Sequence, residues 1–390
     1  MRYVILAWLS CQQYLAIAFL YAAVPAVLRQ HGAPLPLLGL FGLVFFAFTV
    51  NFLWAPFVDR HRLSRLGRRR SWILLMQAGA AVVTAFAATL DPARHVMALL
   101  VASLLLATIA ATQRIATLGY AAESLCASSR AYGAAVMGWG MSVGNAIGGA
   151  AGLYLIERFG WQPTLWSGAA LMVLSASLVL AVPEPDTSAS GPARDLSPWA
   201  ALRRPGIWRA VRLVTPATFG VALAFPMAAP WLVDLGLPLS QVGLVIAAAT
   251  VVAFTTAGPL AGHVFRAMAA RRAVMASALL LTPLFAITAA ARMWISAQAW
   301  TLLGVFVIFV GLSVQNVAFN TYFYSLARPG EAATDVSFLA AMMSVAAMAG
   351  FAASGFIAGT WGYGAVLGCA AAGYAATAWL ANRKEPANAQ

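Results

Sequence analysis

The stretch Phe52-Leu53-Trp54-Ala55-Pro56-Phe57-Val58-Asp59-Arg60 closes one apolar run, and Gly67-Arg68-Arg69-Arg70-Ser71-Trp72 opens the next. The seam between them is short and strongly basic. Arginines at this density stay out of hydrocarbon, so the seam marks one face of a membrane. The apolar runs on either side read as helices that cross it, because a helix satisfies its own backbone hydrogen bonds where no water is available.

Working outward, the same pattern repeats along the chain. Of the 390 residues, 62% are hydrophobic and 9% charged, and mean hydropathy is +0.82. A water-soluble domain needs far more polar surface than this. Apolar segments of roughly 20 residues, the length that spans a bilayer, fall near 3–24, 37–57, 72–90, 96–119, 131–155, 163–182, 209–231, 239–262, 272–291, 298–324, 335–358 and 363–381. The expectation is an all-α polytopic membrane protein of twelve transmembrane helices. The first segment is too long for a removable signal peptide and lacks a small-residue cleavage site, so it is read as a true membrane helix.

The net charge of +13 invites a nucleic-acid reading, and its placement argues against one. With a cytoplasmic N-terminus, the inward loops carry Arg2, the arginines from Arg60 to Arg70, Arg130, Arg194, Arg203, Arg204, Arg266, Arg271, Arg272, Arg328, Arg383 and Lys384. The outward loops carry only Arg29, Arg94, Arg158 and Arg292. This asymmetry follows the positive-inside rule and puts both termini in the cytoplasm, with the basic loops facing anionic headgroups. Cys11, Cys126 and Cys369 have neither metal-ligand spacing nor an evident disulfide partner. No Gly-x-x-x-x-Gly-Lys-Ser/Thr signature is present, so ATP hydrolysis by this chain is not expected.

Residues 183–208, rich in Pro, Ser, Gly and charge, form the longest polar stretch and divide the helices six and six. The organisation expected is a bundle at 1–182, a cytoplasmic linker at 183–208, and a second bundle with a short tail at 209–390. The two halves echo each other at a constant offset of 202 residues. Gln113, Ala116 and Tyr120 recur as Gln315, Ala318 and Tyr322, Met141-Ser142-Val143 as Met343-Ser344-Val345, Gly148 as Gly350, and Gly160 as Gly362.

The basic seam resembles the Gly-x-x-x-Asp-Arg-x-Gly-Arg-Arg motif of the major facilitator superfamily, with Ala55 in place of the leading glycine and extra residues between Arg60 and Gly67. Its flanking residues are similar to those of bacterial muropeptide permeases and of the related ferri-siderophore inner-membrane permeases. So are Thr112-Gln113-Arg114-Ile115-Ala116-Thr117, Gly160-Trp161-Gln162, Pro183-Glu184-Pro185 and Ala333-Thr334-Asp335. The resemblance implies two parallel six-helix repeats with the cargo held between them at mid-depth. It also implies a monomeric inner-membrane carrier, with no cofactor, metal or enzymatic activity, that works by alternating access and proton symport. On this reading Asp59, Arg60, Gly67, Arg68, Arg69 and Arg70 form a cytoplasmic latch. The compact length and the Ala333-Thr334-Asp335 element are more like the siderophore permeases, so import of a ferric siderophore is the leading expectation. A muropeptide is the close alternative, and a proton-coupled efflux pump a distant one.

The polar residues inside the helices supply the candidate contacts. An intramembrane guanidinium is costly and tends to face a cavity or a partner, which singles out Arg114 as a ligand for an anionic cargo. A structural ion pair or snorkelling to the interface are its alternatives. Gln113 and Tyr120 beside it, Gln12, Gln13 and Tyr14 in helix one, and Asn145 in helix five are further candidates on the first half. Gln315, Asn316, Asn320 and Tyr322 in helix ten are those on the second, with interhelical hydrogen bonding as the alternative use. The acids nearest the cavity mouth are Glu123 and Asp335, the only candidates for proton coupling, and Asp335 also suits a helix cap. The glycines of helix five, from Gly138 to Gly152, and the small residues of helix eleven are expected to permit close packing against helices of the other half.

Overall fold

The computed structural model describes residues 2–61, 63, 67–124, 130–180, 205–326 and 332–383. These residues are nearly all helical, and each expected segment falls on a helix. In chain order the helices are α1 (Tyr3–Gln30), α2 (35–60), α3 (Arg68–Ala88), α4 (Val96–Ser124), α5 (130–159), α6 (Trp161–Leu180), α7 (Gly206–Asp234), α8 (Leu239–Phe265), α9 (Ala270–Met293) and α10 (Ala297–Leu326). The last two, α11 (332–361) and α12 (363–382), meet at Gly362, whose φ of 78° is a left-handed conformation open to glycine. The polar stretch 183–208 lies outside the described residues up to position 204.

Contacts group the chain into two units. The first comprises Met1–Ala33, Leu43–Arg194 and Gly236–Ala247. The second comprises Pro34–Gly42, Asp195–Leu235 and Ala248–Gln390.

Several helices are irregular, and proline or glycine stands at five of these places. The α1 helix widens to a π-segment at Phe19–Ala23, just before Pro25, and α8 does so at Ala253–Ala257, just before Pro259. A 3₁₀ turn at Asn51–Leu53 precedes Pro56 in α2, and another at Phe225–Met227 contains Pro226 in α7. Proline removes an N–H and clashes with the preceding turn, so the ladder must change pitch there. The π-segment of α5 at Ile147–Ala151 instead contains Gly148 and Gly149. Side chains from neighbouring helices meet the backbone near two prolines. Ser313 Oγ of α10 donates to the Ala253 carbonyl at 2.9 Å, and the Ala217 N–H, next to Pro216, donates to Thr377 Oγ1 of α12 at 3.1 Å.

Within the first unit, Gly140, Gly144 and Gly148 of α5 lie against the backbone of α1 at Ala7, Cys11 and Leu15. These three glycines close on their own bundle, and the expected approach of α5 to a helix of the second half is made beside them, at Ala150. The start of α8, which belongs to this unit, packs Gly243 on Ala150 of α5. In the second unit, the start of α2 is held by α11, where Gly355 faces Leu35 and Gly359 faces Pro36.

Two arginines close helix C-termini. Arg70 donates to the Leu180 carbonyl at the end of α6. Arg271 of α9 donates to the carbonyls of Ala381 (3.1 Å), Leu380 (3.3 Å) and Arg383 (2.6 Å) at the end of α12. A cation there satisfies orphan carbonyls and complements the helix dipole. Arg271→Ala is expected to fray α12 and lower stability by about 1–2 kcal/mol, read as a reduced Tm of the detergent-solubilised protein with cargo transport retained.

Candidate functional site

The α4 helix carries Arg114 on a face that meets α1 and α5. There the first unit contains a polar cavity of about 120 Å³ lined by Ser10, Gln13, Tyr14, Arg114, Thr117, Leu118, Met137 and Met141. Arg114 is half-buried and, among the described residues, makes no hydrogen bond or ion pair. Gln13 is fixed by donation from Nε2 to the Ala110 carbonyl at 3.0 Å. Thr117, one turn beyond Gln113, is 1% exposed, and its Oγ1 has no hydrogen-bond partner among the described residues. The cavity therefore joins one unneutralised guanidinium to hydroxyl and amide groups, a set suited to a carboxylate or another planar anion.

The structure separates the other candidates on this half. Gln12 faces away from Arg114. Its Oε1 accepts from Gln77 Nε2 (2.9 Å) and Ser175 Oγ (2.6 Å), and Trp8 Nε1 donates to the same serine at 2.7 Å. This buried network ties α1, α3 and α6 together. Gln12→Leu is expected to leave cargo affinity unchanged while costing roughly 1–3 kcal/mol of stability, because Gln77 loses its nearer acceptor and Ser175 the acceptor of its proton; thermal unfolding and ligand titration on one preparation separate the two effects. Asn145 accepts from the Tyr21 hydroxyl at 3.2 Å. Gln113 is buried with an unpartnered Nε2, and Tyr120 lies in the core beside Leu6, Leu9 and Trp72. Neither borders the Arg114 cavity.

On α10, Gln315 is buried and accepts from the Tyr374 hydroxyl at 2.8 Å, and Tyr322 is buried. Asn316 is exposed, and Asn320 donates from Nδ2 to its carbonyl at 2.9 Å and to its side-chain oxygen. The 202-residue repeat that matches Gln113 with Gln315 puts Asn316 at the position of Arg114 and Asn320 at that of Leu118. Where the first half has a cation, the second therefore has an amide pair.

In the basic seam, Gly67 adopts φ 114°, which glycine permits, and α3 begins at the next residue. Arg69 is buried against α4, where a Cβ on Gly119 would overlap its guanidinium. Trp72 Nε1 donates to the His61 carbonyl at 2.9 Å, which ties the end of α2 to α3. The backbones of Asp59 and Arg60 end α2, Glu123 lies in the last turn of α4 and Asp335 in the first turn of α11; their side chains lie outside the described residues.

The family model of the Major Facilitator Superfamily matches residues 6–350. The chain belongs to that superfamily. Among curated relatives of this facilitator, the Anhydromuropeptide permease of Escherichia coli K12 is 29% identical over 251 residues, covering 63% of this chain and 51% of the permease. The facilitator thus spans about half the length of that relative. An uncharacterized protein of Haemophilus influenzae is 23% identical over 384 residues, covering 93% of this chain and 89% of its own. Two solved structures share the fold. One is a bacterial homologue of the human lysosomal transporter Spinster in an inward-facing, occupied conformation, with TM-score 0.72, 16% identity and 97% and 93% of the two chains covered. The other is a point mutant of the nucleoside transporter NupG, with TM-score 0.73, 13% identity and 97% and 98% covered.

Proposed function

We propose that this facilitator is an inner-membrane permease that brings an anionic cell-wall fragment, a muropeptide, from periplasm to cytoplasm by alternating access, with both termini cytoplasmic. The observation that carries the reading is Arg114, a guanidinium on a membrane helix that faces a cavity with polar lining and has no partner among the described residues. Its forked donors match the carboxylates of a peptide stem, and Gln13, Tyr14, Ser10 and Thr117 offer hydrogen bonds around the same space. Asn316 and Asn320 supply amides for the neutral part of the cargo. The named E. coli relative supports a cell-wall cargo over a ferric siderophore; both are anionic and polar.

In this scheme 1–182 and 209–390 act as the two bundles of a monomer, and 183–208 links them. The seam from Asp59 to Arg70 latches the cytoplasmic side when the carrier faces outward. Protons drive uptake, with Glu123 or Asp335 as the carboxylate that exchanges them. Uptake of a radiolabelled anhydromuramyl tripeptide, compared in cells with and without the gene, tests the assignment. Gene-dependent accumulation supports it. Accumulation only of radioactive iron supplied as a ferric siderophore would replace the muropeptide by the siderophore, and accumulation of neither would refute an anionic cargo of these two kinds.

A further inference from the structure

The first unit holds a second cavity, larger than the Arg114 site and of opposite character. It measures about 190 Å³ and lies among α1, α3, α4, α5 and α6, in the half of the unit away from the arginine triplet. Leu20, Leu99, Leu106, Leu155, Leu171 and Trp161 dominate its wall. Four hydroxyls border it, and three are already committed. Thr164 donates to the Gly160 carbonyl at 2.8 Å, Ser167 to the Thr164 carbonyl at 2.7 Å, and Thr84 to Met172 Sδ at 3.9 Å. Only Ser103, 3% exposed, has no hydrogen-bond partner among the described residues.

This arrangement limits what can occupy the space. A buried water requires two to four polar partners, and this lining offers one uncommitted hydroxyl proton and a few separate hydroxyl oxygens along a mainly apolar wall. A void of this size left empty forfeits dispersion contacts along its whole lining, whereas apolar cavities of comparable volume take up apolar molecules. The apolar material that surrounds a membrane-spanning bundle is lipid hydrocarbon. We propose that this cavity is a binding site for the end of one acyl chain of a bilayer phospholipid. Both π-segments, Phe19–Ala23 of α1 and Ile147–Ala151 of α5, contribute to its wall. Leu15 and Ala16 line it as well, directly after Gln13 and Tyr14, which line the Arg114 cavity. A seated chain therefore rests on the same two helices that frame the polar site.

The test uses the full-length protein in nanodiscs containing a phosphatidylethanolamine with a diazirine at the methyl end of one acyl chain. After photolysis, labelled residues are mapped by mass spectrometry. Labels are expected on the cavity residues Leu20, Leu155 and Leu171, as well as on the exposed Val173 and Leu174 of α6. Two variants fill the space from different walls, Ser103→Leu from α4 and Ala87→Leu from α3. In either, the cavity labels are expected to vanish while those on Val173 and Leu174 persist. Labels confined to the exposed residues in the unsubstituted protein would overturn the proposal, whether or not the variants fold. So would cavity labels that survive filling in a monodisperse variant.

Discussion

Replacing Arg114 by alanine is expected to abolish accumulation of the proposed muropeptide cargo while the protein still reaches the membrane at normal levels. The side chain is half-buried and pairs with no other residue described, so its removal breaks no internal contact. Removal also relieves the cost of holding a lone guanidinium within the bilayer. Thermal stability should therefore hold or rise. Cargo binding loses a charge-assisted, two-pronged contact worth about 3 kcal/mol, roughly a hundredfold in Kd. Arg114→Lys keeps the charge and loses the fork, so it should recover part of the affinity only. Normal uptake by Arg114→Ala would remove the residue from the site.

The largest structural effect is expected at Gly144. A Cβ there would stand 3.0 Å from the Cα of Cys11 and closer still to the Cys11 carbonyl oxygen, so even alanine must push α1 away from α5. Backbone cannot swing aside as a side chain does, and leucine at this position should cost 3 kcal/mol or more, ~3 being the upper end for ordinary overpacking. Gly144→Leu is thus expected to leave little folded protein in the membrane, with Gly144→Ala intermediate; fluorescence-detected size exclusion of solubilised protein gives the ranking. Because Gly140 and Gly148 make the same kind of approach to Ala7 and Leu15, the three positions should behave alike. A Gly144→Leu variant as stable as the parent would mean that α1 and α5 do not pack through this face.

Much of the fold was legible because the bilayer imposes it. Runs of apolar residues long enough to cross had no alternative to helix, and the basic seam around Gly67 separated two of them. The pitch changes were only partly legible. Pro25, Pro56 and Pro259 mark positions where an N–H is missing, but whether the ladder widens to π or tightens to 3₁₀ depends on what the neighbouring helix offers, such as Ser313 for the Ala253 carbonyl. The site was legible to the residue type and not to the face. Gln12 and Gln13 are adjacent in sequence and about 100° apart on the helix, so one closes a network with Gln77 and Ser175 while the other lines the Arg114 cavity. The arginine caps on α6 and α12 carry no local signal, since the carbonyls of Leu180 and Ala381 lie 110 positions along the chain from Arg70 and Arg271.

The central claim, that Arg114 reads an anionic group on the cargo, is tested most directly by calorimetric titration of the purified protein. The ligands are an anhydromuramyl tripeptide and the same compound with its carboxylates amidated. The acid is expected to bind, the amidated form to bind roughly a hundredfold more weakly, and Arg114→Ala to bind both with equally low affinity. Equal affinity of the unsubstituted protein for the two forms would contradict the account.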